Sequence, residues 1–391
     1  MISRSSRRKR RRNVLLALGW NTFEFNLGVA EYAKKANWIL NDIMCHSGEI
    51  PSRWEGDGII AHVNSSNERP LISLLRRARV PVVNLGAFTS SLIAARVLPD
   101  NAGIGQMAAE HLLGRGFEHF AYYRLSASPV VMERMEGYRA TVKAAGKHFH
   151  ELDCSPIMAG AKARPRGGNA YLLPRLAVMI KRLSKPLAVM SQYDGEANDV
   201  TRACFSAGLR VPDDVAVIGV DNDRVYSQLG PVPLTSVDSN RRLAAYRAAE
   251  MLDRILDGER WHEKTVRIAP EGVVVRESTD ILAVEDLHVS KALRFIWDNF
   301  TKDITVDDVV RHSGISRRGL YSRFEGMVGH PIYEELMRQR LDRAKQLLRE
   351  TDEKLQFIAD ECGLGDAERL SKSFKRYCGV SPVEYRSEHR I

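Results

Sequence analysis

The stretch Ile304–Phe324 reads ITVDDVVRHSGISRRGLYSRF, the pattern of two short helices joined by a glycine turn. Thr305 followed by Asp308 three residues later is an N-cap signature, because the two side chains can each satisfy the other residue's free backbone N–H. Val306, Val309 and Val310 then form an apolar face that stops at Gly314. Ser316 is placed to cap a second helix, in which Leu320 and Phe324, four apart, share one face. Helix, glycine turn and second helix make a helix-turn-helix. The solvent side of the second helix carries Arg317, Arg318, Tyr321, Ser322 and Arg323, donors suited to phosphates and, for arginine, to guanine edges.

Thirty residues further on the pattern returns. In KLQFIADECGLGDAERLSKSFKRYCGVSPVEYR, Lys354–Arg386, Ile358, Ala359 and Cys362 form the inward face and Gly363 breaks the helix. Asp366 is the expected N-cap, Leu370 and Phe374 are again four apart, and Ala367, Glu368, Arg369, Ser371, Lys372 and Arg376 fall on the exposed side. Between the halves, Ile332–Arg349 can form one amphipathic helix of 18 residues, about 27 Å long. That length helps set two reading helices near one turn of DNA, roughly 34 Å, apart.

Residues 288–391 resemble the DNA-binding domain of the AraC/XylS class of bacterial transcription activators. The residues that carry the resemblance are Ile315-Ser316, Leu320, Arg323-Phe324, Gly329, Arg340-Leu341 with Ala344 and Leu347-Leu348, Ile358-Ala359, Cys362-Gly363, Phe374-Lys375-Arg376, and Gly379-Val380-Ser381-Pro382 with Tyr385-Arg386. Two departures stand out: Leu364 where an aromatic is usual, and Glu368-Arg369 where a Ser-Tyr-like pair is usual. They bear on which bases are read. The resemblance implies double-stranded promoter or operator DNA as partner, a homodimer, and RNA polymerase as a further partner if the protein activates.

Upstream the texture differs. Val14–Leu18, Gly58–Val63, Val80–Leu85, Phe117–Tyr123, Leu187–Met190 and Val215–Val220 are short apolar runs with few charges, as in strands buried on both faces of a parallel sheet. Amphipathic segments near 26–37, 69–79, 103–115, 132–146, 172–184 and 196–208 alternate with them. A long helix over Asn240–Leu256 and short strands at Val266–Ile268 and Val273–Val275 complete the set. The alternation predicts an α/β, doubly wound architecture, and its length predicts two lobes with a cleft between them. Ligands of such sheets bind beyond the carboxyl ends of the strands, so the polar residues at Trp20–Asn26, Gln192–Asp194 and Asp221–Asp223 are the informative ones.

Residues 13–280 resemble the periplasmic-binding-protein-like sensor of the lactose/galactose repressor class. The match rests on Asp57-Gly58-Ile59-Ile60, Val80-Pro81-Val82-Val83, Gly116-Phe117 with His119, Glu136-Gly137-Tyr138, and the run Val211–Asp221. The two resemblances in this order imply a sugar-responsive transcriptional regulator, an activator of pentose catabolism genes, with a monosaccharide effector and D-xylose as first choice. Arg134 and Asp221 stand where the repressor class places a sugar-binding arginine and aspartate. Asp194 at the end of the fifth run is a third candidate, and Trp20 and Phe23 are candidates for the stacking face.

The chain has 391 residues, 44% hydrophobic and 27% charged, a balance that excludes disordered and fibrous classes. No apolar run approaches the ~18 residues of a membrane span, and the basic start lacks the apolar run of a secretory leader. Net charge is +9, but seven of those charges lie in Met1–Arg12, and residues 13–287 balance to zero. The expected organisation is a basic disordered arm at 1–12, the sensor at 13–280, a linker at 281–287 and the DNA-binding domain at 288–391. The five cysteines are widely spaced without C-x-x-C, which fits reduced thiols and a cytoplasmic protein. Gly103-Ile-Gly105-Gln-Met-Ala108 matches a dinucleotide pattern but follows Leu98–Asn101, which does not read as a buried strand. It is therefore expected to open a helix and allow close packing. No nucleophile, metal-ligand or cofactor signature appears, so neither cofactor nor metal is expected and the chain is not expected to be an enzyme. Two other readings share this pattern. One is an α/β enzyme fused to a DNA-binding domain, which turnover would mark. The other is a constitutive DNA-binding protein, which an apolar cleft would mark.

Overall fold

The computed structural model describes residues 11–18, 23–63, 67–87, 91–156, 170–259, 265–281 and 286–389. Its strands are β1 (Asn13–Ala17), β2 (Ile39–Asn41), β3 (Gly58–Ala61), β4 (Val82–Asn84), β5 (Ala95–Pro99), β6 (His119–Arg124), β7 (His148–Asp153), β8 (Leu187–Ser191), β9 (Val215–Val220), β10 (Thr235–Asp238), β11 (Thr265–Ile268) and β12 (Gly272–Val274). They form two six-stranded sheets. The first has the order β11-β5-β4-β3-β1-β2 with every pairing parallel. The second has the order β12-β10-β9-β8-β6-β7, parallel except for the β10–β12 pair.

Each apolar run is continuous because each sheet is covered on both faces. In β1, Val14 and Leu16 join a core with the helices Phe23–Ala36 and Arg241–Leu256, through Phe25, Val29, Ala245 and Leu252. Leu15 and Ala17, pointing the other way, join a core with Leu71 and Leu74 of the helix Glu68–Ala78. The second sheet repeats this. Phe120, Tyr122, Met190 and Ile218 meet the helices Asn101–Leu113 and Pro129–Ala144. Tyr123, Val189 and Val217 meet Leu173–Lys181 and Asp194–Ser206.

The first unit runs up to Asp100 and takes in Asn240–Pro270; the second takes Asn101–Ser239 and Glu271–Arg390. The helices of the C-terminal domain thus belong to the same compact unit as the second sheet. Arg12, assigned from sequence to the basic arm, is part of the first unit's fold: its guanidinium pairs with Asp253 and, at 2.5 Å, with Asp257. Residues 1–10, most of that arm, lie outside the described residues, as do 282–285 of the expected linker.

β2, β5, β7 and β10 were not anticipated. β10 is polar, and its buried Thr235 and Ser236 are satisfied by side-chain bonds: Thr235 Oγ1 donates to the Arg276 carbonyl and Ser236 Oγ to Asp194. β5 corrects the reading of Leu98–Asn101, since Ala95–Pro99 is a strand between β4 and β11 with Val97 fully buried. The helix that follows packs as expected, because a Cβ on Gly105 would overlap the Arg134 carbonyl of the neighbouring helix.

The C-terminal domain is all helix: Leu287–Asn299, Val306–Ser313, Arg317–Val328, Ile332–Glu350, Leu355–Glu361, Ala367–Cys378 and Pro382–His389. Thr305 and Asp308 form the capping box, Ser316 Oγ accepts from Gly319 N–H, and Asp366 accepts from Arg369 N–H. The long helix Ile332–Glu350 serves two cores. Ile332 and Leu336 close the first over Leu320 and Phe324, whereas Leu341, Ala344 and Leu348 close the second over Leu370 and Phe374. Buried Arg340 on that helix donates to the carbonyls of Phe300, Lys302 and Ile304, pinning the loop that enters the first helix-turn-helix. Among the described residues no helix is long and apolar enough to cross a membrane.

Candidate functional site

The carboxyl ends of β8, β9 and β10 converge on Arg134, which the helix Pro129–Ala144 presents from after β6. Arg134 is almost wholly buried. Its Nε–H donates to Asn101 Oδ1 at 2.9 Å and its Nη1–H to the Gln192 carbonyl at 2.7 Å. Its guanidinium lies 4.8 Å from the centre of the Tyr193 ring, and Nη2 stands 3.7 Å from Asp221 Oδ1. That last separation makes an ion pair but is too long for a direct hydrogen bond.

Asp221 follows β9 and is buried beside Arg134, where it accepts from Ser239 Oγ at 2.7 Å. Its φ of 99° and that of Asn222, 49°, put two consecutive non-glycine residues in the left-handed half of the backbone map. Such strain costs on the order of 1–3 kcal/mol per residue and gathers where function holds a side chain in place. Asn222 is fixed in turn: it donates to Asp238 Oδ2 and accepts from Arg276 Nη2.

Asp194 opens the helix Asp194–Ser206 and is buried, but its carboxylate accepts from Ser236 Oγ at 2.6 Å and from the Asp223 amide at 2.8 Å. Those bonds clamp the loop that carries Asp221. Phe23 is 60% exposed, and Trp20 lies outside the described residues. Tyr193, inside the informative stretch Gln192–Asp194 but not among the stacking candidates, is the aromatic that flanks Arg134. In the first unit the sequence reading passed over His62, which follows β3. The His62 ring lies 5.5 Å from Phe25, and Arg241 stands 5.6 Å over the same Phe25 ring. Burial and the nearby Arg241 charge lower the His62 pKa to about 4, so the imidazole is neutral at pH 7.

The first reading helix exposes Arg317, Arg318, Ser322 and Arg323. Arg317 pairs with Asp307 at 2.7 Å and donates to Tyr321 OH; Tyr321 itself is half-buried against the first core. Arg323 donates to Asp286, the N-cap of the domain's first helix. Arg318 extends with no partner among the described residues. In the second reading helix Glu368 and Lys372 pair at 2.6 Å, Ser371 Oγ donates back to the Ala367 carbonyl, Arg376 lies over the Tyr377 ring, and Arg369 is exposed.

Among the described residues, Arg349, Trp297 and Arg294 join the C-terminal helices to the second sheet's lobe, Arg294 Nη1 pairing with Asp280 Oδ1 at 3.4 Å. Arg349, on the long helix, pairs with Glu271 at 2.5 Å and donates to the Glu271 carbonyl and to Tyr385 OH. Arg115 lies 4.6 Å over the Trp297 ring.

Comparison with known proteins agrees with this arrangement. Residues 109–279 match the periplasmic binding protein-like domain model, and residues 309–388 match a helix-turn-helix domain model. The xylose operon regulatory protein of Escherichia coli K12 is 29% identical over 373 residues, 92% of each chain. The chain is thus similar to the xylose operon regulatory proteins along nearly its whole length. The Haemophilus influenzae protein of that name is 26% identical over 368 residues. The solved structure of the xylose-binding transcription activator xylR covers 98% of this chain, at 26% identity and a TM-score of 0.58. The α/β sensor fold and the helical DNA-binding fold expected from sequence are both present, in that order. Among the described residues no group of three or more His, Cys, Asp and Glu side chains is placed to hold a metal ion.

Proposed function

We propose that this protein is a sugar-responsive, sequence-specific DNA-binding regulator that activates pentose catabolism genes, with D-xylose as effector. The observation that carries the ligand reading is the Arg134–Asp221 pair. A hydroxyl seated between Nη2 and Oδ1 accepts from the guanidinium and donates to the carboxylate, which is how a sugar is recognised. Tyr193 and Asn101 hold the guanidinium in place, and Asp194 acts as a positioning residue for the Asp221 loop. The names of the two regulatory proteins and of the solved activator, each matched along nearly the whole chain, support D-xylose over other monosaccharides.

In this reading the protein works as a cytoplasmic homodimer without a cofactor and without catalysis of its own. Sugar shifts the population of sensor conformations, and the shift alters how two DNA-binding domains are spaced on the promoter, where they meet RNA polymerase. Isothermal titration and thermal shift over a panel of pentoses and hexoses test it. D-xylose at a hundred times its Kd is expected to stabilise the protein by about 2.7 kcal/mol, and Arg134→Ala and Asp221→Ala to abolish the effect while melting cooperatively. No response to any sugar overturns the proposal.

A further inference from the structure

The helix Asn101–Leu113 touches both functional regions of the second unit. At its start, Asn101 Oδ1 accepts the Arg134 Nε–H. Along its length it lies tight against the helix that carries Arg134, since a Cβ on Gly105 or Gly137 would collide with the opposing backbone. Two helices in such contact move as one body, because a close-packed interface has no slack to absorb a shift.

Just past its end, Arg115 is buried and held at Nε and Nη1. Its Nε–H donates to the Thr279 carbonyl at 2.7 Å and its Nη1 to His111 Nδ1 at 3.1 Å. Burial and the Arg115 charge hold His111 well below its ordinary pKa, so the ring stays neutral, with Nε2–H free to donate to Thr279 Oγ1 at 3.0 Å. The Arg115 guanidinium then stacks on Trp297 of the DNA-binding domain. Trp297 Nε1–H donates to the buried Glu335, which also pairs with His330 at 3.3 Å. Glu335 sits on Ile332–Glu350, the helix that spaces the two reading helices.

We propose that the helix Asn101–Leu113 couples sugar to DNA, carrying a displacement of Arg134 over about 20 Å to the Arg115–Trp297 contact and so to the spacing helix. This rests on the sugar site proposed above. The contact suits a switch: a planar cation sliding on an aromatic face changes register without opening the apolar core of either side, and those cores are separate.

The test uses the full chain and a DNA site selected by the wild type from a random pool. D-xylose affinity is read by calorimetry without DNA, and DNA affinity by anisotropy with and without saturating D-xylose. The wild type is expected to show a sugar-dependent change in DNA affinity of about 5–150-fold. In Arg115→Met and in Trp297→Phe, sugar binding persists while that ratio collapses toward 1. Trp297→Phe keeps an aromatic face for Arg115 but removes the Nε1–H bond to Glu335 that leads to the spacing helix, and it decides the matter if Arg115→Met does not fold. Sugar binding with a wild-type ratio near 1, or with the ratio unchanged in both variants, overturns the coupling role and leaves the sugar site standing. A wild type that binds no sugar overturns the site and the coupling together.

Discussion

The two helix-turn-helix units are built on one plan and diverge where they face solvent. Inside, Leu320 and Phe324 match Leu370 and Phe374, all fully buried. Outside, two places after the cap, Arg318 in the first unit stands opposite Glu368 in the second. The turns differ as well. Gly314 and Gly363 are 49 residues apart but the caps Ser316 and Asp366 are 50 apart, so the second turn holds one more residue and uses Gly365 at φ +82°. The shared core thus carries opposite charges at one exposed position: Arg318 has no partner among the described residues, whereas Glu368 is paired with Lys372.

The largest expected effects test the sameness of the cores. Phe324→Ala and Phe374→Ala are each expected to cost about 3–5 kcal/mol, measured by calorimetric unfolding. If one is nearly silent, the two cores are not equivalent.

The turn glycines come next and should separate. Both have positive φ, so alanine at Gly314 costs about 1–2 kcal/mol from backbone strain alone, with nothing nearer its Cβ than His288 Nδ1 at 3.8 Å. At Gly363 the Cβ would also lie 2.5 Å from the Phe300 carbonyl, in the loop that Arg340 pins. Gly363→Ala must therefore lower the melting temperature more than Gly314→Ala, and the reverse order would show that this loop yields.

The reading positions are third. Arg318→Ala is expected to weaken DNA binding by about 1–3 kcal/mol and to relax preference at one base pair. Glu368→Ala should instead alter preference in the other half-site while removing a negative charge from the interface, so that non-specific affinity rises. Selection from a random DNA pool reads both, and an unchanged site for Arg318→Ala removes its base-reading role. The smallest contrast is in the caps. Thr305→Ala removes the 3.4 Å bond from the Asp308 N–H but leaves Asp308 accepting the N–H of residue 305, whereas Asp366→Ala removes a 2.7 Å bond from the Arg369 N–H. Each cap is worth about 1 kcal/mol, with Asp366 expected to be the costlier, and a larger shift in chemical denaturation for Thr305→Ala would reverse that order.

Legibility in the sequence followed the physics of each region. The C-terminal domain was readable almost residue by residue, because helix periodicity, caps and turn glycines are local: each depends on neighbours within about four positions. The apolar strands were equally plain, since burial on both faces leaves an unbroken run. β10 was hidden because its threonine and serine are buried only by bonds to Asp194, Arg276 and Ser278, residues far away in the chain.

The chain's own sequence determined the order of its parts, the two-sheet α/β pattern, the twin reading helices and the candidacy of Arg134 and Asp221. The tertiary structure alone decided what those side chains do. It placed Tyr193 beside Arg134, turned Asp194 from a free carboxylate into a clamp, left Phe23 in solvent and tied Arg323 to Asp286. It also stacked Arg115 on Trp297, 182 positions along. A hydrogen bond or a stacked cation acts over a few ångströms, and which groups come that close is set by the packing of whole helices, which no local pattern encodes.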